Sequence, residues 1–285
     1  DHRRDDMTIR DVLTMTTGIQ WDESSMPYTD STSNCVQMEK SSDWVQYVID
    51  QPIEFEPGEK FEYNSGATML LSYLIKNTTG LDLTDYVETN LFEVLGITEY
   101  YWKHTPKGLT DAEGGLYLTP RDLAKFGYLY LNNGKWNGKQ VLPDNWVENT
   151  LAKPVDTGSP WFKYSLQWWL MPYGNDHTAL LASGLGGQRM IVLPELDIVA
   201  VFTGWNIYEI PALNSWMAMN KIINAVDTEM NHFPKLFILA IYFSILLGIG
   251  FFASKRITNI SDYYVGGKKL NYWIAALSAR STGES

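Results

Sequence analysis

Hydrophobic residues recur at helical spacing along much of the first half of the chain. Apolar positions three and four residues apart are the periodicity of an amphipathic helix. Gly80 is a helix stop signal, and Thr119 followed by Pro120 is a helix start signal. Together these patterns predict four helices, over Ile9–Thr16, Ala67–Thr79, Leu83–Leu95 and Arg121–Asn132.

Two short apolar runs near residue 200 predict a pair of strands. They are Arg189–Leu193 and Asp197–Thr203, and the turn Pro194-Glu195 joins them. Helices followed by strands that pair locally are typical of an α+β protein in which helices pack on a sheet. Residues 1–229 are therefore predicted to form a soluble α+β domain.

A different pattern begins after residue 229. Leu236–Ala253 is a run of 18 residues without a charge, and a bilayer-spanning helix needs about 20 apolar residues. The alternative is a buried core helix, which seldom stays uncharged for that length. The run is followed by the cations Lys255, Arg256, Lys268 and Lys269. The positive-inside rule then predicts a span over 236–253, with residues 1–232 extracytoplasmic, the later segment cytoplasmic and the lipid bilayer as a partner.

Charge and cysteine content exclude several functions. The formal net charge is −11, distributed as −15 over residues 1–229 and +4 over residues 230–285. An acidic chain without a basic patch is not expected to bind nucleic acid. Cys35 is the only cysteine, which excludes an intramolecular disulfide framework and a cysteine metal site. His104 and His177 lack metal-ligand spacing and are interpreted as surface residues, so no metal is expected.

The segment Phe61–Gly66 has the pattern of a candidate catalytic element. Tyr63, Asn64 and Ser65 precede the predicted helix at 67–79, where a phenol and two hydrogen-bonding groups can face a cleft. A phenol with a pKa near 10 becomes a useful base only if cations stabilise its phenolate. The structural alternative is a helix cap made by Asn64 or Ser65.

Two glycine-containing segments can be explained by backbone structure without a catalytic role. In Ala182–Gln188, the small residues around Ser183, Gly184 and Leu185 could expose N–H groups to an oxyanion, but a bulge or hairpin corner is the better explanation of the motif taken alone. In Ala112–Gly127, the pair Gly114-Gly115 relieves backbone crowding and does not fit a phosphate loop.

Four segments in this order resemble the serine β-lactamase-like family, which includes class C β-lactamases, DD-peptidases, esterases and 6-aminohexanoate-dimer hydrolases. The segments are Met7–Gly18 (MTIRDVLTMTTG), Pro57–Gly66 (PGEKFEYNSG), Ala112–Gly127 and Ser183–Pro194 (SGLGGQRMIVLP). The resemblance extends over nearly all of residues 1–225. It implies a DD-peptidase/β-lactamase-like sheet with a helical subdomain, no cofactor, and hydrolysis of a small amide or ester through a serine ester.

The resemblance also implies roles for individual residues. Tyr63 aligns with the family's general base or proton relay, and Ser65 stands where the family often has Asn. Ser183 and Gly184 align with the family's Lys/His-Thr-Gly strand but carry no Lys or His, which argues against true β-lactam hydrolysis. A backbone N–H at Gly184 or Leu185 would be one oxyanion donor. The family's Ser-x-x-Lys nucleophile motif does not occur in the chain, and we expect it to lie in a missing N-terminal part, so that this chain alone is inactive.

Residues 231–285 resemble the N-terminus of the sodium:solute symporter family. The features are the first span, the loop Ile260–Leu270 (ISDYYVGGKKL) and the helix start Trp273–Ala279 (WIAALSA). The resemblance implies Na⁺ as the coupling ion of the complete transporter. Glu284 is either an intramembrane ligand or simply a residue near the entry of an unfinished helix.

Two explanations of this organisation remain open. The chain is either part of a natural fusion, with a hydrolase domain at 1–229 and a symporter fragment at 230–285, or a merger of two neighbouring genes with Met230 as the transporter's start. Residues 1–229 are in turn either a hydrolase or a catalytically silent extracytoplasmic binding domain.

Overall fold

The fold is described from a computed structural model of the chain, over residues 1–23, 25, 27–174, 176–204 and 214–227. The chain divides into two compact units, Asp1–Met219 and Asn220–Ser285. The predicted boundary at 229/230, the predicted span over 236–253 and the symporter-like segment all fall outside the described residues.

Helices dominate the first half of the described chain. Their bounds are α1 Arg3–Asp6, α2 Ile9–Leu13, α3 Asn34–Lys40, α4 Trp44–Asp50, α5 Ser65–Thr79, α6 Leu83–Val87, α7 Glu93–Leu95, α8 Pro120–Leu131, α9 Trp146–Ala152 and α10 Ser215–Asp227. A single π-helical turn, Glu88–Phe92, joins α6 to α7.

Strands dominate the second half. Their bounds are β1 Tyr100–Trp102, β2 Leu116–Leu118, β3 Lys135–Trp136, β4 Lys139–Gln140, β5 Val155–Asp156, β6 Lys163–Ser165, β7 Trp168–Tyr173, β8 His177–Ser183, β9 Arg189–Leu193 and β10 Ile198–Phe202. In the described part of the chain, β5 to β10 form one antiparallel sheet in the order β10-β9-β8-β7-β6-β5. The other four strands form two separate two-stranded pairs, β1-β2 and β3-β4.

Helix α8 packs directly on the sheet. It contacts β9 and β10, and Gly127 lies against Val199 of β10. A Cβ atom at Gly127 would lie 2.6 Å from Cγ1 of Val199, so only glycine allows this separation. The buried side chains below α8 include Leu170, Leu180 and Val192.

A second core lies among the helices that precede the sheet. Trp44 and Val48 of α4, Met38 of α3 and Met69 of α5 are buried together with Trp21. Between this helical layer and the sheet lies a third cluster, in which Phe61 and Tyr63 pack with aromatic side chains of β6 and β7. The candidate site is in this third cluster.

The structure confirms most of the predicted elements. Helix α5 ends at Gly80, which takes the left-handed conformation (φ 77°), and the Thr119 side chain caps α8 as predicted. The helix predicted over Leu83–Leu95 is present and contains the π turn, which the sequence pattern did not indicate.

The prediction for Ile9–Thr16 was too long by one turn. Helix α2 ends at Leu13, because Met15 takes a positive φ of 58° that a continuing helix does not allow. The first turn of α2 is stabilised by a capping box between Thr8 and Asp11.

None of the described helices is long and apolar enough to cross a membrane.

Candidate active site

The Tyr63–Ser65 segment lies at the entrance of α5. The Asn64 side chain accepts a hydrogen bond from the Ala67 N–H at 2.8 Å, so Asn64 is the helix cap that the structural alternative named. Asn64 is fully buried, and its amide nitrogen has no hydrogen-bond partner among the described residues. Asn64 is thus held by the helix it caps, and its predicted catalytic role remains a prediction.

Gly66 allows the start of α5 to lie against its neighbours. A Cβ atom there would be 2.5 Å from Cγ2 of Val48 and 2.6 Å from the ring of Trp21. No side chain fits this gap without a shift of the core. The glycine therefore brings Ser65 close to the loop that follows Trp21.

In that loop, Glu23 forms the centre of a buried hydrogen-bond network. Its Oε1 accepts hydrogen bonds from the Ser65 hydroxyl at 2.7 Å and the Tyr28 hydroxyl at 2.9 Å. Its Oε2 accepts from the Trp21 indole N–H at 2.5 Å and from the Ser65 backbone N–H at 2.9 Å. Glu23 is only 4% exposed, so solvent does not compete for these contacts.

Tyr63 lies in an aromatic environment on the opposite side of this segment. Its ring stacks on Trp169 with centroids 5.5 Å apart and meets the edge of Tyr164 at 6.3 Å. Burial raises the pKa of the Tyr63 phenol well above its ordinary value, and the charges of Glu23 and Glu113 raise it further. Within the described residues, the phenol is therefore neutral at physiological pH.

This electrostatic environment differs from the one that a tyrosine base requires. The sequence argument needed cations to stabilise the phenolate, and the charged groups that act on Tyr63 here are carboxylates. As the described chain stands, Tyr63 can donate or relay a proton, but its phenolate needs a cation supplied by another group.

A second acidic layer lies beyond Glu23. The Cys35 thiol contacts Oε2 of Glu113 at 3.8 Å, and burial followed by the Glu113 charge raises the pKa of that thiol. Lys103 forms ion pairs with Glu39 at 3.0 Å and with Asp111 at 3.3 Å. Cys35 is thus a protonated, buried thiol and not a nucleophile.

Of the glycine pair before α8, Gly115 has the structural role that the sequence indicated. A Cβ atom at Gly115 would lie 2.7 Å from Cβ of Asp111, whereas a Cβ atom at Gly114 would meet nothing within 4 Å. Gly115 alone therefore lets the chain pass close to this buried carboxylate.

The Ser183–Leu185 segment lies at the end of β8. The Gly184 N–H donates to the Gln188 carbonyl at 2.9 Å and closes a tight turn. The Arg189 guanidinium donates to the Gly184 carbonyl at 2.6 Å, which fixes the same turn. Of the two predicted oxyanion donors, Gly184 is therefore engaged inside the turn, and the prediction now depends on the Leu185 N–H.

The sheet register relates this turn to Tyr63. Trp169, on which Tyr63 stacks, pairs with Leu181 of β8, and Ser183 is two residues further along that strand. Tyr63 and the Ser183–Leu185 turn thus lie towards the same end of the sheet, although no hydrogen bond or ring contact joins them among the described residues. The structure brings Tyr63, Asn64 and Ser65 together and adds Glu23, which the sequence argument missed.

The raised pKa of Glu113 predicts a pH-dependent stability. Burial, followed by repulsion from Asp111, Glu39 and Glu23, raises this pKa from 4.5 to about 8. The native state then binds more protons than the unfolded state between these values, so Glu113 lowers stability as the pH rises from about 4.5 to about 8. The slope is at most about 1.4 kcal/mol per pH unit for one group.

Urea denaturation of the wild type and of Glu113→Gln at pH 5, 7 and 8.5 measures this effect. The glutamine variant should gain stability relative to the wild type as the pH rises. A stability difference that is constant over this range would contradict the assignment.

The comparisons with known proteins identify the family. The sequence matches the Beta-lactamase family over residues 1–204. It is 27% identical over 218 residues to the 6-aminohexanoate-dimer hydrolase of Paenarthrobacter ureafaciens, covering 69% of this chain and 54% of that protein. The chain therefore spans about half the length of this curated relative.

Solved structures agree with this fold. A putative 6-aminohexanoate-dimer hydrolase from Bacillus anthracis superposes with a TM-score of 0.60 at 25% identity, covering 80% of this chain and 62% of that one. A penicillin-binding protein from Bacillus halodurans superposes with a TM-score of 0.57 at 17% identity, covering 78% of this chain and 74% of that one, which shows a shared fold. With a family match over more than half of its length, and with the α+β architecture of these proteins, the chain belongs to the β-lactamase family.

Proposed function

We propose that this chain is the base-bearing and substrate-binding part of a serine hydrolase that cleaves amide or ester bonds through an acyl-enzyme. The observation that carries the proposal is the Tyr63–Ser65 segment, held at the buried start of α5 within a chain of this family. The Leu185 N–H, towards the same end of the sheet, is the proposed oxyanion donor.

The nucleophile of this reaction has to come from outside residues 1–285. The chain contains no Ser-x-x-Lys motif and spans about half of its curated hydrolase relative. We therefore place the serine and the lysine in the part of the enzyme that this chain does not span. That lysine would also be the cation that the Tyr63 phenolate needs.

The proposed reaction has two steps. In acylation, the serine oxygen attacks the substrate carbonyl, its proton passes through Tyr63 to the leaving amine or alcohol, and the C–N or C–O bond breaks. In deacylation, water attacks the ester, its proton returns through Tyr63 to the serine oxygen, and the carboxylic acid leaves.

The residues at the end of β8 indicate the substrate class. Ser183 and Gly184 occupy the Lys/His-Thr-Gly strand position, and neither is a Lys or a His. The Arg189 guanidinium at this turn is held by the Gly184 and Gln188 carbonyls. A linear amide or ester is therefore preferred over a β-lactam, in line with the name of the curated hydrolase relative.

A catalytically silent binding domain is the second candidate. The observation that favours it concerns the charges around Tyr63. Among the described residues, carboxylates and no cation act on the Tyr63 phenol. Such a domain would bind small amides or peptidoglycan fragments without cleaving them.

For residues 230–285 we propose the start of a sodium:solute symporter, with a span over 236–253 and residues 1–232 outside the cytoplasm. The support is the uncharged run and the Ile260–Leu270 loop in the sequence. The alternative is a merger of two genes at Met230. One continuous reading frame across residue 230 in the native transcript supports the fusion, and a stop codon before it supports the merger.

Hydrolysis of a chromogenic nitrophenyl ester by the full-length protein tests the enzymatic proposal. An acyl-enzyme predicts a rapid burst of nitrophenol, close to one equivalent of protein, followed by slower turnover. Release of nitrophenol no faster than in buffer, together with saturable binding of a small amide, would favour the silent domain.

A further inference from the structure

We propose that Glu23 is a positioning residue of the candidate active site, and that its buried carboxylate orients Ser65 and thereby the Tyr63–Ser65 segment. The inference rests on the proposed function, because it assigns a role within the same site. Neither the sequence patterns nor the family resemblance singles out this residue.

The first argument is the geometry of the Glu23–Ser65 contact. One carboxylate accepts hydrogen bonds from both the hydroxyl and the backbone N–H of Ser65, at 2.7 and 2.9 Å. Two hydrogen bonds from one residue to one carboxylate fix both the position of its backbone and the direction of its hydroxyl. The two residues are 42 positions apart in sequence, so the contact joins the segment that contains Trp21 and Glu23 to the start of α5.

The second argument is that the carboxylate is itself fixed. The Trp21 indole N–H and the Tyr28 hydroxyl donate to its other acceptor sites at 2.5 and 2.9 Å. All four partners are hydrogen-bond donors. An ionised carboxylate only accepts hydrogen bonds and has about four lone-pair sites, so it can bind all four donors at once. Among the described residues, no Lys, Arg or His forms an ion pair with Glu23. Within this part of the chain, Glu23 is therefore stabilised by hydrogen bonds and not by an ion pair.

The third argument is the cost of such an arrangement. A buried charge without a cation is destabilising unless its hydrogen bonds are complete. If Ser65 and Glu23 served only to pack the core, apolar side chains could replace them at a lower cost in free energy of folding. A charge held beside Tyr63 also acts on the phenol, because repulsion from Glu23 raises the pKa of Tyr63.

Glu23→Gln is the informative variant, because it can keep all four contacts. The glutamine oxygen can face the N–H groups of Trp21 and Ser65, which only donate, while its amide nitrogen faces the two hydroxyls, which can also accept. The fold is then preserved, the charge is lost, and the Ser65 hydroxyl proton is turned away from Glu23. Tyr28→Phe is the matched control, since it removes one donor but keeps both Ser65 contacts and the charge.

Two measurements on the full-length protein test the role. The first is the rate of labelling by a fluorophosphonate. The second is the pH titration of the ¹⁹F resonance of 3-fluorotyrosine placed at position 63. We expect Glu23→Gln to slow labelling at least 10-fold, because the Ser65 hydroxyl is no longer oriented towards position 23. We also expect it to move the Tyr63 titration to lower pH, because removing a negative charge favours the phenolate. Tyr28→Phe should stay within about 3-fold of the wild-type rate, with its titration unchanged.

The results that would overturn the role of Glu23 differ from the result that would refute the proposed function. A Glu23→Gln protein that is labelled at the wild-type rate, or whose Tyr63 titration does not move, would overturn the proposal. If that variant does not fold, Ser65→Ala replaces it and is expected to be labelled at least 10-fold more slowly; a wild-type rate would overturn the role. A wild-type protein that takes no label would refute the proposed function instead, and the fluorine titration alone would then decide whether Glu23 acts on Tyr63.

Discussion

Replacement of Tyr63 by phenylalanine is expected to slow the proposed acylation of the full-length protein by about 10²–10⁴-fold, the usual contribution of a positioned acid or base. The phenylalanine ring keeps the stacking on Trp169 and the edge contact with Tyr164, so the fold should be unchanged. In the proposed mechanism, what is lost is the group that passes the proton between the serine and the leaving group. Fluorophosphonate labelling rates and chromogenic ester hydrolysis measure the effect.

Tyr164→Phe is the matched control for this experiment. Tyr164 is 2% exposed and lies in the same aromatic cluster as Tyr63. Burial raises the pKa of this phenol too, but Tyr164 is not part of the Tyr63–Ser65 segment. Equal losses in the two variants would point to damaged packing, and an unchanged rate in Tyr63→Phe would remove Tyr63 from the mechanism.

Replacement of Phe92 by alanine is expected to be the most destabilising single truncation, at about 3–5 kcal/mol. Phe92 is fully buried at the end of the π turn. The centroid of its ring lies 4.7 Å from that of Tyr100, 6.1 Å from that of Trp102 and 6.2 Å from that of Phe126. The lost side chain would leave a cavity between the α6–α7 segment, the β1-β2 pair and α8.

Urea denaturation of Phe92→Ala and of Val94→Ala measures this difference. Val94 is 43% exposed, two residues further along the same helical segment, so its truncation should cost about 0.5 kcal/mol or less. Similar losses of free energy of unfolding in the two variants would show that the Phe92 cluster does not stabilise the fold as described.

Helix and strand periodicity was enough to predict the elements that pack on one face. Helices α5 and α8 and the β9-β10 hairpin follow from apolar spacing, caps and the Pro194-Glu195 turn. The short elements α3, α4 and β6 were not predicted. Helices α3 and α4 have only about two turns each and β6 has three residues, whereas the five-residue strands β9 and β10 are apolar runs joined by a recognisable turn. The early end of α2 depends on the positive φ of Met15, which no local pattern indicates.

The candidate site was predictable only in its local part. Tyr63, Asn64 and Ser65 are contiguous, and the helix they precede was evident from the sequence. Glu23 was missed because its partner Ser65 is 42 residues away and only the fold brings them together. The nearest local signal is a glutamate two residues after a tryptophan in a largely polar stretch, which alone does not distinguish a buried carboxylate from an exposed one.

The electrostatics of the site could not be predicted either. The sequence argument identified the need for a cation beside Tyr63, but the approach of Glu23 and Glu113 to the phenol depends on three separate loops. The tail beyond residue 229 stays a prediction from composition and resemblance.

Mapping the fluorophosphonate adduct on the full-length protein by peptide mass spectrometry decides whether the Tyr63–Ser65 segment belongs to an acyl-transfer site. The proposed mechanism predicts a single adduct on a serine that is followed three residues later by a lysine and lies outside residues 1–285. In Tyr63→Phe, this adduct should form about 10²–10⁴-fold more slowly. An adduct on Ser65, or no adduct on any serine of the folded protein, would contradict the assignment of these residues to an acyl-transfer site.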